Sequence, residues 1–348
     1  MTGGTGIPGE SLAPDALGES PAPGSKNWAV LGAGVISGDF ATALPDAQLG
    51  RLHAVGARDA AAARAFADRF GALVSGTYDE ILSRDDIDAV YIGTVHPAHR
   101  DQAIAALESG KAVLCEKPLT TSAADTETVL AAATRAGRPL LEAFKYRFGP
   151  FAARLRQLVA TGAIGEVTSV ESTLGFAAAE HTGRLFDPET AGGAILDVGC
   201  YPVSFAVGIA ASAGQPLAQV RVREATGRRG ATGVDVVASA VLDLGRLTAR
   251  VATAIVEDLP RSTVIHGTDG RIEIPNPWGS RTQSTDHAVL TRADGSVEVI
   301  STPTVSPMAA EADALLRALA DGRTEVPEMP WRETRAIARL LDEWLDAV

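Results

Sequence analysis

The sequence predicts two domains of different class. The first is an α/β domain with a doubly wound parallel sheet. The second is an α+β domain with a large open, mainly antiparallel sheet. Three observations carry this. Residues 28–144 read as short apolar strands alternating with helical stretches, the pattern of a parallel sheet covered on both faces. The first strand runs into Gly32-Ala-Gly34 and then a helix. From residue 167 onward, apolar residues alternate in longer runs punctuated by turns, as in strands with two different faces. A chain of 348 residues fits about two domains.

The elements follow in order. Ten of the first 25 residues are Gly or Pro, so residues 1–26 are expected to be a disordered leader. The dinucleotide-binding domain is expected over 27–144. Trp28–Leu31 is its first strand, and the helix after Gly34 runs to Leu44. Leu52–Ala57 is the second strand, followed by a helix over Asp59–Phe70. A short strand at Ala72–Val74, a small helix over Tyr78–Ser83 and a strand over Ile87–Ile92 come next. A helix spans Arg100–Ser109. The run Lys111–Cys115 is a buried strand, followed by a helix over Ser122–Ala136 that Gly137 stops. Pro139–Ala143 is the sixth strand.

The second domain is expected over 145–348. It opens with a helix over Phe151–Thr161 and a strand over Val167–Phe176. A helix containing Asp197 and Tyr201 runs to about Ala211. Strands follow at Val220–Arg223, Val234–Leu242, Leu247–Val256 and Arg261–His266, with a hairpin turn at Gly267–Gly270. Two more strands flank Asp294-Gly295. The amphipathic helices Met308–Asp321 and Trp331–Ala347 end the chain, and the last is a candidate to pack back on the first domain.

Composition narrows the function. The net charge is −12, which argues against nucleic acid or an anionic membrane as the main partner. No run approaches the ~18 apolar residues of a membrane helix. There are two cysteines, Cys115 and Cys200, too few for a disulfide framework, and no basic-then-apolar leader. The expected compartment is the cytoplasm.

The chemistry gathers at strand ends. Strand, Gly-x-Gly, helix is the opening of a dinucleotide site. Gly32 makes the turn, Gly34 lets the pyrophosphate approach, and the Val35 and Ile36 amides at the helix start receive it. Ser37 stands where the third glycine of the fingerprint would be. The second strand ends on Ala57-Arg58, with no acid to hold a ribose 2′-hydroxyl. A guanidinium there suits a 2′-phosphate, so the expected cofactor is NADP, with NAD the alternative. The exit of the fourth strand, Gly93-Thr94-Val95-His96-Pro97-Ala98-His99, reads as a loop lining the cofactor, with His99 orienting the backbone. No acid or Cys stands at ligand spacing from His96 and His99, so no metal is expected.

Glu116-Lys117-Pro118 follows the fifth strand, at the carboxyl edge where open α/β sheets bind ligands. The chain has only four Lys, at 26, 111, 117 and 145. A Lys kept against that Arg-rich background marks a task for a compact ammonium. Asp197 and Tyr201, four apart, share one helix face, and Gly192, Gly193 and Gly199 leave it approachable. Tyr201 can carry a proton if an ammonium such as Lys117 lowers its pKa. Spacing alone equally allows a core tyrosine with a satisfied hydroxyl and Asp197 as a cap.

Gly32-Ala-Gly34, Val113-Leu-Cys-Glu-Lys-Pro118, Glu142-Ala-Phe-Lys-Tyr-Arg-Phe148 and Gly192-Gly-Ala-Ile-Leu-Asp-Val-Gly-Cys-Tyr-Pro202 together resemble the Gfo/Idh/MocA oxidoreductases, from about Asn27 to the C-terminus. Within the family, Val90-Tyr-Ile-Gly-Thr94, His96-Pro97, His99 and Gly110–Pro118 are most similar to dimeric dihydrodiol dehydrogenases and NADP-dependent D-xylose dehydrogenases. The resemblance implies a Rossmann domain, and dimers or tetramers formed through the C-terminal sheet. It implies that Lys117 orients the reacting hydroxyl, Tyr201 exchanges the proton and Asp197 binds or polarises substrate. Thr94, His96 and Glu116 would line the nicotinamide ribose.

Two departures shape the substrate. The dihydrodiol group carries a second Arg soon after the Arg58 position, where this chain has Asp59-Ala-Ala-Ala-Ala63 and then Arg64. That group also has Trp where this chain has Lys145. Lys145 and Arg184 suit a polar, polyhydroxylated substrate such as a sugar. The expected activity is NADP-dependent hydride transfer at a secondary alcohol or hemiacetal carbon. A keto-sugar reductase and a non-catalytic cofactor-binding regulator are the alternatives.

Overall fold

The computed structural model describes residues 25–348. The leader expected to be disordered lies, through residue 24, outside the described residues. Lys26, placed at its end, instead opens the first strand, where its Nζ donates to Asp88 Oδ1 at 2.8 Å.

The first sheet contains β1 (Lys26–Leu31), β2 (Gly50–Gly56), β3 (Val74–Gly76), β4 (Ala89–Ile92), β5 (Ala112–Glu116) and β6 (Leu140–Ala143). All neighbours pair in parallel, in the order β3-β2-β1-β4-β5-β6. The order reverses between β1 and β4, so the crevice opens beyond Leu31 and Ile92, where such sheets bind ligands. The connecting helices are α1 (Val35–Ala43), α2 (Ala60–Phe70), α3 (Tyr78–Leu82), α4 (His99–Glu108) and α5 (Ala123–Ala136). β4 and β5 are buried along their whole length, which is why they read as unbroken apolar runs.

After α6 (Pro150–Ala160) comes the long strand β7 (Val167–Ala177). A π-helical turn, Ile195–Gly199, leads into α7 (Cys200–Ser212). The second sheet is completed by β8 (Arg221–Arg229), β9 (Asp235–Leu244), β10 (Leu247–Ala254), β11 (Val256–Gly267), β12 (Gly270–Ile274), β13 (His287–Arg292) and β14 (Val297–Ser301). Its order is β14-β13-β12-β11-β7-β10-β9-β8. Only β7 and β10 are parallel; every other pair is antiparallel.

One strand boundary differs instructively. The alternation runs unbroken through Leu247–Val256, yet the chain breaks at buried Ile255. There it crosses the end of β7: Ala254 pairs with Gly175 on one side and Val256 with Ala177 on the other. Periodicity does not register a crossing that keeps the inward residue buried. A second correction concerns length. Pro188–Ser212 is long and apolar enough, by composition, to cross a membrane, against the reading that no run approaches that length. Of its most apolar window, 78% is buried inside the fold, where α7 packs on β7, β10, α6 and α9 (Trp331–Asp346).

α8 (Pro307–Ala320) packs on β5, β6 and α1, and α9 lies on α5, α7 and β8. Trp331 Nε1 donates to Leu140 O at 3.0 Å. One face of the first sheet packs under α4 and α5. The other face, with Trp28, Val30, Tyr91 and Leu114, is continuous with the core of the second sheet. A shared core fixes the two halves of the site relative to each other.

Candidate active site

A cleft of about 670 Å³ opens at the carboxyl edge of the first sheet. Every residue singled out from the sequence as a catalytic, cofactor or substrate candidate lies on its wall, from Gly32 and Arg58 at one end to Asp197 and Tyr201 at the other.

The dinucleotide end begins at Gly32. Its φ of +99° is one that side chains rarely adopt, and a Cβ there would stand 2.8 Å from Thr94 Cγ2. A Cβ on Gly34 would meet only Gly93 O, at 3.9 Å, so the surface beside it is open. Gly34 caps α1 with no side-chain hydrogen bond and no acid in the first turn, leaving backbone N–H groups free for an anion. The close helix–strand contact made by the fingerprint's third glycine is met at Gly93: buried Ser37 reaches its carbonyl at 3.4 Å. Exposed Arg58 has no ion-pair partner among the described residues, whereas Arg64 is paired with Asp68 at 3.4 Å. These features fit a dinucleotide with a phosphate on its adenosine ribose.

The loops after β4 and β5 are tied by His99. Its Nδ1 lies 2.9 Å from Pro118 O and its Nε2 3.3 Å from Thr94 O, so this ring does orient backbone. Burial, with Lys117 nearby, pushes it down to about 4, so the ring is neutral at pH 7 and its single N–H serves one carbonyl at a time. Thr94 Oγ1 donates to Gln102 Oε1 at 2.7 Å. Glu116 is buried; it accepts from Tyr91 Oη at 2.8 Å and from the Lys117 amide at 3.2 Å. Burial raises its pKa against the pull of Lys117.

At the reaction end, the Lys117–Pro118 peptide is cis. Lys117 Nζ donates to the Asp197 carbonyl at 2.7 Å and lies 5.0 Å from the centroid of the Tyr201 ring. Burial acts against its charge, but Cys200, Asp197, Tyr201 and Glu116 outweigh it, so the ammonium is kept. The Asp197 carboxylate accepts from Arg184 Nη2 at 2.9 Å and faces His96 Nε2 at 3.8 Å. Burial works against ionisation of Asp197 too, yet Lys117, Arg184 and His96 hold it below the usual carboxylate value. His96 is placed by its Nδ1, 3.1 Å from the carbonyl of Ala191, a residue held at a φ of +49°. Burial pushes His96 down to about 3, so the ring is neutral.

The structure corrects two expectations here. Tyr201 has its pKa raised, not lowered. Lys117 does pull it down, but burial, backed by the nearby Glu116, wins. Asp197 and Tyr201 also do not share one regular helix. Asp197 lies in the π-helical turn and Tyr201 in the first turn of α7, so the i, i+4 relation of an α-helix does not hold between them. Tyr201 stands in an aromatic box with Phe144, Tyr146 and Trp278, at centroid distances of 5.8, 6.1 and 5.6 Å.

Lys145 lines the cleft, but its ammonium already donates to Trp278 O at 3.0 Å and Ser280 O at 2.8 Å. Burial lowers it to about 8. Trp278 and Arg281, on the loop 275–286, are site residues the sequence reading missed. Arg281 lines the cleft and pairs with Asp39 of α1. The available signal was compositional: a Pro- and Gly-bearing connection between strands that carries a Trp and an Arg.

The fold and cleft define an NAD(P)-dependent oxidoreductase. The chain belongs to the Gfo/Idh/MocA family: residues 26–144 match the oxidoreductase family model with the NAD-binding Rossmann fold, and 152–273 match the GFO/IDH/MocA C-terminal domain. It is 34% identical to the trans-1,2-dihydrobenzene-1,2-diol dehydrogenase of Xenopus laevis, over 92% of this chain and 97% of that one. It is 37% identical to the D-xylose 1-dehydrogenase (NADP(+)) 2 of Haloferax volcanii, over 83% and 87%. A 3-ketoreductase from Actinomadura kijaniata, solved with NADP and TDP-benzene, superposes with a TM-score of 0.80 at 26% identity, over 91% and 96%.

Proposed function

We propose that this enzyme uses NADP to transfer a hydride to or from a secondary alcohol, hemiacetal or ketone carbon of a sugar or related polyol. One observation carries the reading: Lys117, Asp197 and Tyr201 converge on one end of a cleft whose other end offers an uncapped helix N-terminus and Arg58, which has no ion-pair partner among the described residues. A relative named for a diol, one named for D-xylose and a 3-ketoreductase solved with NADP and TDP-benzene support the substrate class.

When bound, the nicotinamide supplies or accepts the hydride. This chain's residues handle the proton and the orientation. Gly32, Gly34, Val35 and Ile36 cradle the pyrophosphate, and Arg58 takes the 2′-phosphate. Thr94, His96 and Glu116 line the nicotinamide ribose. Lys117 holds the reacting oxygen and favours the phenolate of Tyr201. Asp197, braced by Arg184, accepts from a neighbouring substrate hydroxyl; the His96 Nε2 lone pair accepts from another. Lys145 and Arg184 bound the substrate end.

The raised pKa of Tyr201 favours keto-sugar reduction as the second reading. A hydroxyl that stays protonated at neutral pH is ready to donate to a forming alkoxide. The test incubates the enzyme with NADP⁺ and a panel of aldoses and polyols, then with NADPH and keto-sugars, following reduced-nicotinamide absorbance. Turnover in either direction supports the proposal. Tight NADP⁺ binding with no turnover on either panel overturns it.

A further inference from the structure

We infer that Arg281, on the loop between β12 and β13, closes over the cofactor's pyrophosphate, and that Asp39 is the partner it leaves to do so. The inference rests on the cofactor reading above.

The loop is built to present this side chain. Ser280 N donates to Gln283 O at 2.8 Å, and Ser280 Oγ accepts from the amides of Thr282 at 3.2 Å and Gln283 at 2.9 Å. Arg281 therefore stands at the tip of a tight turn. Lys145 fixes the same loop from the first sheet's side through its bonds to Trp278 O and Ser280 O. The tip reaches across the cleft to α1, where Arg281 pairs with Asp39.

Asp39 is four residues past Val35, so the two share a helix face one turn apart. Val35, 76% exposed, stands at the uncapped N-terminus where the pyrophosphate is read to rest, and Arg281 lines the cleft there with Val35 and Ile36. Moving from Asp39 to the helix start is a shift of about one turn, ~5 Å, within the compass of an Arg side chain. The exchange is favourable on chemistry. Arg281 and Asp39 keep 57% and 28% side-chain exposure, so their pair is a weak surface contact. A pyrophosphate offers two charges and paired oxygens that match the guanidinium fork. It also sits where the α1 amides already favour an anion. Asp39 then has two effects in the free enzyme: it parks Arg281, and it places a like charge near the incoming phosphates.

This gives variants of opposite sign. NADP⁺ affinity is measured by isothermal titration on the full chain, at low and high salt, for the unaltered protein, Arg281→Gln, Asp39→Asn and the double variant. Arg281→Gln is expected to weaken binding about tenfold and to flatten the salt dependence, from loss of one charge-assisted phosphate contact. Asp39→Asn is expected to tighten it by ~2- to 5-fold, from release of a surface pair and a repulsion. The double variant should bind more weakly than the unaltered protein. Unchanged affinity in Arg281→Gln overturns the inference. Weakening by Asp39→Asn, matching Arg281→Gln, overturns it also, because the pair would then serve only to hold the loop. If the unaltered protein binds no NADP⁺, the cofactor reading itself has failed and this inference goes with it.

Discussion

The Lys117 ammonium touches the main-chain carbonyl of Asp197, 2.7 Å away, rather than its carboxylate. The two residues come from different sheets' connections, eighty positions apart. The contact docks the loop after β5 onto the π-helical turn and leaves the Asp197 carboxylate to Arg184 and His96. It also lays the ammonium over the Tyr201 ring. Lys117 is thus placed both to tune Tyr201 and to hold the two halves of the site in register.

Lys117→Met keeps bulk and removes the ammonium. Turnover should fall by ~10² or more, the usual scale for acid–base catalysis. Since Lys117 lowers the Tyr201 pKa, its loss should move the basic limb of the pH–rate profile further up. Tyr201→Phe should cost a similar factor with NADP⁺ affinity almost unchanged. The double variant should be little worse than either, as residues acting together are not additive. Near-full turnover in Tyr201→Phe would place the proton carrier elsewhere.

Arg58→Ala should weaken NADP⁺ about tenfold, from the lost charge-assisted contact to the 2′-phosphate, and leave NAD⁺ nearly unchanged. Titration of both cofactors against both proteins checks it. An equal loss for the two would make Arg58 a structural residue.

Glu142 offers a stability test. It is buried on β6; Oε1 accepts from the Leu119 amide at 3.0 Å, while Oε2 has no partner among the described residues. Burial pushes its carboxyl from 4.5 up to about 7. A folded pKa above the unfolded one means the folded state holds the proton longer. Stability from that proton is full below the unfolded value and is lost as pH rises through about 7. Glu142→Gln should raise the thermal midpoint at pH 8, by the equivalent of ~1–3 kcal/mol, and change little at pH 5. A pH-independent effect would show that the carboxyl is already ionised in the fold.

The second sheet has one face under α7 and α9 and one face uncovered in the single chain. The uncovered face carries polar residues at its centre: Glu171 on β7 pairs across to Arg250 on β10 and Val264 on β11, with Ser239 exposed on β9. Exposed Val297 and Val299 lie along β14. We expect a second copy to cover this face, with a dimer or larger assembly by light scattering at micromolar concentration. Arg250→Glu should weaken the assembly. A monomeric mass at that concentration would remove this face from consideration.

Local pattern determined much of this protein. The strand–Gly-x-Gly–helix opening, the buried runs of β4 and β5 and the hairpin at Gly267–Gly270 are each set by residues within one turn or strand of each other, so they are legible one-dimensionally. So was the family, since Glu116-Lys117-Pro118 and the segment around Asp197 and Tyr201 keep fixed spacing. Tertiary structure decided what depends on distance and burial. It set the sign of the Tyr201 pKa shift, because desolvation by an aromatic box outweighs one nearby ammonium. It engaged Lys145 with the 275–286 loop, which sets Trp278 against the Tyr201 ring and brings Arg281 onto the cleft, both more than 130 positions from Lys145. And it crossed the chain over β7 at Ile255, where alternation continues unbroken. Periodicity records which residues face inward. It carries no information on which distant groups they meet there, and those meetings set the charges at the site.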